Sequence, residues 1–126
     1  MTKITTLNGA AVFSKAVQEN GKTVGLVVGN FDIIHLGHIN LFRFAKKHSN
    51  ILIVGLDNDQ TIKHVKGENR PINNFRRRAE LLSELETIDK IFEIKTTSHH
   101  DSEEALEFYK QIVSRISLHI FLPIKM

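Results

Sequence analysis

The sequence predicts an α/β domain: an open sheet of parallel strands with helices on both faces. Three observations carry that prediction. Residues 24–28, 51–56 and 118–122 are apolar runs without alternation, as in strands covered on both faces. Helical spacings separate these runs, so strand and helix alternate along the chain, which argues right-handed crossovers between parallel strands. Finally, the first such run ends in Gly29-Asn30 and leads directly into a helical pattern. Ligands of open parallel sheets sit at the C-terminal strand ends, near a switch in strand order.

The 126 residues make one expected domain, 1–126, long enough for a proper core. Hydrophobic content of 41% and charged content of 25% are ordinary for a soluble globular protein. The formal net charge of +3 suits a small anionic substrate as well as nucleic acid. There is no cysteine, which excludes disulfides and thiolate metal sites. No signal peptide and no run approaching the roughly 18 apolar residues of a membrane span is visible. The expected location is cytoplasmic, without a membrane partner.

The elements follow in order. Residues 10–20 hold Val12, Phe13, Ala16 and Val17, the i, i+4 pairs of a short amphipathic helix, and Asn20-Gly21 reads as its stop. A strand is expected at 24–29. The helix at about 39–48 buries Leu41, Phe42 and Ala45, with Lys46 and Lys47 near its end, where cations suit the dipole. A second strand covers 51–56, and residues 57–73 read as a polar loop with Gly67 and Pro71. A helix over 74–86 buries Phe75, Ala79, Leu82 and Leu85. After a third strand at 90–94 and a loop at 95–100, Asp101 with Glu104 is a capping pair for a helix to about residue 115. That helix buries Ala105, Tyr109, Ile112 and Ile116. A fourth strand at 118–122 ends at Pro123.

The chemistry concentrates where the first strand meets its helix. If that helix starts near Gly37, His35 lies just before it and His38 in its first turn. Free N–H groups and the positive dipole end make a helix N-terminus an anion site. Two imidazoles there can donate to phosphate oxygens, as neutral tautomers or as cations. Gly37 leaves room for a ligand to approach the backbone. These residues propose a phosphate site.

His35-Leu36-Gly37-His38, preceded by Gly29-Asn30-Phe31-Asp32, resembles the HxGH signature of the cytidylyltransferase-like nucleotidyltransferases. The resemblance implies a Rossmann-like fold. It implies transfer of a nucleotidyl group from ATP or CTP to a phosphorylated sugar or polyol, with release of pyrophosphate. His35 and His38 would contact the triphosphate and stabilise the transition state, with Gly29, Asn30, Phe31, Asp32 and Gly37 beside the nucleotide. Asp32 would either orient an imidazole or hold the loop. In such a reaction the acceptor phosphate is already an anion, so no protein nucleophile is needed. Donors aimed at the charge growing on the α-phosphate and the pyrophosphate are the main lever. Mg2+ would accompany the triphosphate, held largely by phosphates and water.

A basic cluster follows: Lys63, Lys66, Arg70, Arg76, Arg77 and Arg78, against Glu68. A solvated face is the plain reading. Against it, the loop follows the second strand on the edge that carries His35. The arginines also open a helix, where cations oppose the dipole and call for an anion. The run IKHVKGENRPIN, an arginine-bearing helix and then LETIDKI resemble the adenylyltransferase domain that activates heptose 1-phosphate in lipopolysaccharide synthesis. Glycerol-3-phosphate cytidylyltransferases are a more distant likeness. By this resemblance Lys63, Lys66, Arg70 and Arg78 would meet phosphates of the nucleotide or acceptor, Lys66 and Arg78 in catalytic roles.

The likeness covers about residues 15–94. Members of that family continue past the fourth strand to a further strand and an I-S-T-T type motif, which this sequence lacks. Expected readings are therefore a shortened domain, a partner that supplies the missing part, or a degenerate nucleotide-binding module with little or no catalysis. An uncovered sheet edge and the resemblance also allow a homodimer. Gly29-Asn30-Phe31-Asp32 is similar to the FAD synthetase signature too, but the KGENRPIN loop argues against that alternative. Nucleic acid is a weaker partner, because one tyrosine and no tryptophan offer little stacking surface. Asp57 reads as a capped turn, His48 and His64 as surface residues, His119 as core or pocket lining, and His99-His100 as a surface loop without a third metal ligand.

Overall fold

β2 (Val24–Gly29) is buried at every position and β3 (Ile51–Asp57) at all but its first. Strands so placed need neighbours on both sides and helices on both faces, and the fold supplies both. The structure is a computed structural model that describes residues 3–95, 103–116 and 120–123. β1 (Ile4–Thr5), β4 (Lys90–Ile94) and β5 (Ile120–Pro123) complete a five-stranded sheet in the order β1-β4-β3-β2-β5. All pairings are parallel, with Val27 opposite Val54 and Val54 opposite Ile91. The chain steps outward from β2 through β3 to β4, then returns to lay β5 on the other side of β2. The switch in strand order therefore falls at β2.

Side-chain alternation divides the core. Val27, Leu52, Val54, Leu56 and Ile91 point to one face, against Phe42 and Ala45 of α2 (Leu36–Lys47) and Ala79 and Leu82 of α4 (Phe75–Ser83). Leu26, Val28, Ile53, Phe92 and Ile94 point to the other, against Ala10 of α1 (Leu7–Glu19) and Ile112 and Ile116 of α5 (Glu103–Ile116). This is the predicted parallel sheet with helices on both faces. Each fully buried Leu, Ile or Phe contributes roughly 1.5–3 kcal/mol. Asp89 fastens the base of this layer: its carboxylate accepts the Leu52 N–H at 2.8 Å and the Lys46 ammonium at 2.6 Å.

Several local expectations are corrected. The first helix begins at Leu7, not at residue 10, because the Thr6 hydroxyl caps it by accepting the Gly9 N–H at 3.0 Å. Val12 is 70% exposed and Ala16 is exposed, whereas Leu7, Ala10, Phe13 and Val17 pack inward. Ser14 completes that inward stripe and donates to the Ile116 carbonyl, which Gln18 Nε2 also reaches at 3.1 Å. A polar residue thus seals the end of α5 from within the apolar face. The expected loop 57–73 contains a helix, α3 (Asp59–Lys66), capped by Asn58, whose side chain accepts the Thr61 N–H at 2.8 Å. Gly67 ends α3 at φ 109, a conformation L side chains rarely adopt. β1, two residues long, is an unforeseen edge strand. The expected cap Asp101, the His99-His100 pair and His119 lie outside the described residues. Among the described residues no helix is long and apolar enough to cross a membrane.

Gly55 of β3 lies directly against Phe92 and Ile94. A Cβ there would meet Phe92 Cζ at 2.9 Å and Ile94 Cδ1 at 3.1 Å, both in the buried core. Gly55→Ala is expected to cost about 1–3 kcal/mol of stability, read as a lower urea midpoint.

Candidate active site

β2 delivers Asn30, Phe31 and Asp32 to the C-terminal edge of the sheet. Phe31 is held at φ 50, a left-handed conformation costing a bulky residue on the order of 1–3 kcal/mol. Its ring is fully buried, 5.1 Å from the Phe42 ring, which offsets a cost of that size. The turn sends Asp32 towards the segment that precedes α4. Its two carboxylate oxygens accept the N–H groups of Ile72 and Asn73, each at 2.8 Å, and the Asn73 side-chain amide returns a bond to the Asp32 carbonyl at 2.8 Å. Arg70 approaches the same carboxylate at 3.8 Å. Of the two roles open to Asp32, the geometry here is that of a loop tie.

The helix α2 starts on the histidines. His35 is its N-cap, and His35 Nδ1 accepts the Gly37 N–H at 3.0 Å. His38 reaches back, and its Nδ1 accepts the His35 N–H at 3.2 Å. The pair forms a reciprocal capping box built from imidazoles. A nitrogen that accepts carries no proton, so this network assigns the proton of each neutral ring to Nε2. The rings lie 4.0 Å apart, and the edge of the Phe31–His38 contact, at 79°, fixes the His38 plane. His38 is buried and His35 exposed. Burial first, and the neighbouring His35 second, hold the His38 imidazolium below its ordinary pKa. The space over Gly37 is taken by His35 itself: a Cβ would lie 2.8 Å from His35 Cε1. The glycine therefore gives the His35 ring room to cap the helix.

Arg78 is the largest departure from the sequence reading. The resemblance implies a phosphate contact, whereas its side chain is fully buried and engaged on every side. One guanidinium nitrogen donates to the carbonyls of Asn30 and Asp57, both at 2.9 Å. Nε donates to the Asn73 carbonyl at 3.0 Å, and the remaining nitrogen to the Asp59 carboxylate at 2.6 Å. Arg78 thus knots the end of β2, the end of β3, the start of α3 and the entry to α4. The anion its helix position calls for is Asp59, and Arg76 finds Glu80 at 2.7 Å. Asp57, expected as a capped turn, is buried and accepts the Tyr109 hydroxyl at 3.1 Å, while Asn58 does the capping. Burial, then the Asp57 charge and that bond, push the Tyr109 hydroxyl well above its usual range.

The remaining basic residues separate. Lys63 and Lys66 are exposed in the last turn of α3, at the end of that helix away from Arg78. Arg70 stands beside Asp32, next to the cis Arg70–Pro71 peptide. Arg76 and Arg77 are exposed on α4. The structure therefore joins Asn30, Phe31, Asp32, His35, Gly37, His38, Arg70 and Arg78 around one loop pair, and leaves Lys63 and Lys66 on its periphery. Asp59 and Tyr109 belong to the network without a site role assigned to them in the sequence, and Asn73, the last residue of the IKHVKGENRPIN run, joins them. Among the described residues no group of three or more His, Asp or Glu side chains gathers as a metal cage.

These features define an open parallel α/β domain of Rossmann-like type, its polar site at the switch in strand order. The chain belongs to the cytidylyltransferase-like family, whose model matches residues 26–121. It is similar to the bifunctional protein HldE of Campylobacter fetus subsp. fetus, with 45% identity over 73 residues, 58% of this chain and 16% of that protein. The chain thus spans less than a fifth of the length of such relatives. In fold it resembles a lipopolysaccharide core biosynthesis protein from Thermoplasma volcanium, at a TM-score of 0.56, 22% identity, and coverage of 82% of this chain and 97% of that one. The pantoate-beta-alanine ligase of Francisella tularensis aligns over 100% of this chain and 68% of its own, with a TM-score of 0.57 and 14% identity.

Two outcomes follow from the site's geometry. Arg78→Met strands three carbonyls and Asp59 and is expected to cost about 3–5 kcal/mol in urea unfolding. Arg78→Lys does not restore it, because a point charge cannot span acceptors arranged around a planar fork. For His38, the folded pKa lies below the unfolded value of about 6.5. Its contribution is complete above that pH and is lost as pH falls, when the unfolded chain takes up a proton the folded ring resists. Urea midpoints measured from pH 8 to pH 5 should fall more steeply for the natural protein than for His38→Asn.

Proposed function

We propose that this domain is a nucleotidyltransferase acting on a phosphorylated sugar or polyol. An oxygen of the acceptor phosphate attacks the α-phosphorus of ATP or CTP, the bond to the β-phosphate oxygen breaks, and pyrophosphate leaves. Membership of the cytidylyltransferase-like family supports the reaction class. The likeness of the segment from Ile62 to Asn73 to the heptose 1-phosphate adenylyltransferase domain, with the matches to HldE proteins, supports a sugar phosphate as acceptor.

The observation that carries the mechanism is the reciprocal histidine cap. With both Nδ1 atoms occupied as acceptors, His35 and His38 offer Nε2–H donors beside the first N–H groups of α2. Charge accumulates in the transition state on the α-phosphate oxygens and on the departing pyrophosphate, and preorganised donors stabilise it there. The depressed His38 pKa suits a neutral donor. Gly29, Asn30, Phe31 and Gly37 shape the nucleotide's approach, and Lys63, Lys66 and Arg70 supply charge for phosphates. Arg78 acts as a positioning residue, through the carbonyls it holds, and Asp32 through the loop it ties. Mg2+ enters with the triphosphate as part of the substrate, which fits a site with no clustered carboxylate ligands of its own among the described residues.

Pyrophosphate release measured with ATP or CTP and Mg2+, against heptose 1-phosphate, glycerol 3-phosphate and other sugar phosphates, tests the reading. One pair should turn over, and His38→Ala should lower its kcat about 10²–10³-fold. Nucleotide binding without release from any pair would replace the enzyme with a nucleotide-binding module.

A further inference from the structure

A concavity of about 400 Å³ opens at the C-terminal end of β4. Glu93 and Lys95 reach it from the end of β4, Asn8 from the first turn of α1, Phe75 from α4, and Phe108 and Arg115 from α5. None of these residues belongs to the histidine site. Arg115 is steadied by Asn8, whose side-chain carbonyl accepts from its guanidinium. Phe75 and Phe108 are half-buried, so each ring is seated in the protein yet contributes to the wall.

The size and chemistry of this hollow select among ligands. Its volume falls at the lower end for small-molecule sites and is enough for a single sugar ring. Its polar groups are mixed in type. A carboxylate only accepts, an ammonium and a guanidinium only donate, and an amide does both. Hydroxyl groups, which donate and accept at once, satisfy such a set better than a purely anionic or purely apolar ligand does. Two phenyl walls provide apolar contact for the C–H faces of a ring. Phe75 also lies two residues beyond Asn73, whose N–H the Asp32 carboxylate holds, so the hollow borders the loop that Asp32 ties.

We propose that this cavity takes the polyhydroxylated body of the acceptor, a monosaccharide phosphate, with its phosphate directed along the sheet edge towards His35 and His38. The inference rests on the sugar-phosphate reading above, and two measurements keep them separable. KM is determined for the sugar phosphate and for the nucleotide independently, and sugar phosphate is titrated calorimetrically into the protein without nucleotide. Glu93→Gln and Lys95→Ala, both with unchanged urea midpoints, should each weaken the sugar phosphate about tenfold in KM and in Kd, while the nucleotide KM stays within twofold. Turnover with an unaltered sugar-phosphate KM in both variants overturns the cavity and leaves the transferase. Sugar-phosphate binding that these variants weaken, with no turnover from any pair, keeps the cavity and removes the transferase. Absence of sugar-phosphate binding to the folded natural protein overturns the inference. Lys95 is exposed, so its variant provides the reading should Glu93→Gln fold poorly.

Discussion

A single guanidinium holds the C-terminal edge of the sheet together. Removing Arg78 from water costs several kcal/mol, and the interior recovers that cost only when every donor finds an acceptor. Here all three nitrogens do, and three of the four acceptors are main-chain carbonyls at the ends of different segments. The loops around the histidines are consequently set by a buried charge, and loop sequence alone does not determine them. Because Asp59 neutralises that charge locally, the remaining positive charge of this edge sits on the exposed Lys63, Lys66 and Arg70.

The histidine pair works on the same economy of parts. Each imidazole uses Nδ1 for the helix cap and leaves Nε2 outside it. The structural half explains the spacing, since a residue at N-cap and one at N3 are those able to exchange bonds across the first helical turn. It also explains Gly37, whose missing side chain makes room for the imidazole of His35. A signature that looks like a list of ligand contacts is, in half of its content, a way of starting a helix.

The legible parts of the fold are those with one dominant signal. β2 and β3 stand out because burial on both faces leaves unbroken apolar runs, and the histidines stand out because of what precedes and follows them. β1 is two residues and offers no period. α3 is short and mostly polar, burying only Thr61 and Ile62, so it resembles a loop in composition. α1 is misread at Val12 and Ala16 because its inward stripe includes the hydrogen-bonded Ser14. Arg78 was within reach: Phe75, Arg78, Ala79 and Leu82 follow the i, i+3, i+4, i+7 spacing of one helix face, and three of them are apolar. An arginine on a buried stripe signals an interior partner. Which partners it takes depends on carbonyls 48 and 21 residues away, and no local pattern encodes those.

Those separations also govern how the site comes into being. Three of the four acceptors of Arg78 lie 19 to 48 residues away, on segments that reach it only after those loops have closed, so the knot is completed with the core and not ahead of it. Local fraying and reclosure, common for binding loops at the low-stability end of a protein, are restrained where a loop is tied to the interior by a buried ion. The edge that carries the histidines is therefore expected to open with the global unfolding of the domain, sharing its cooperativity and its timescale.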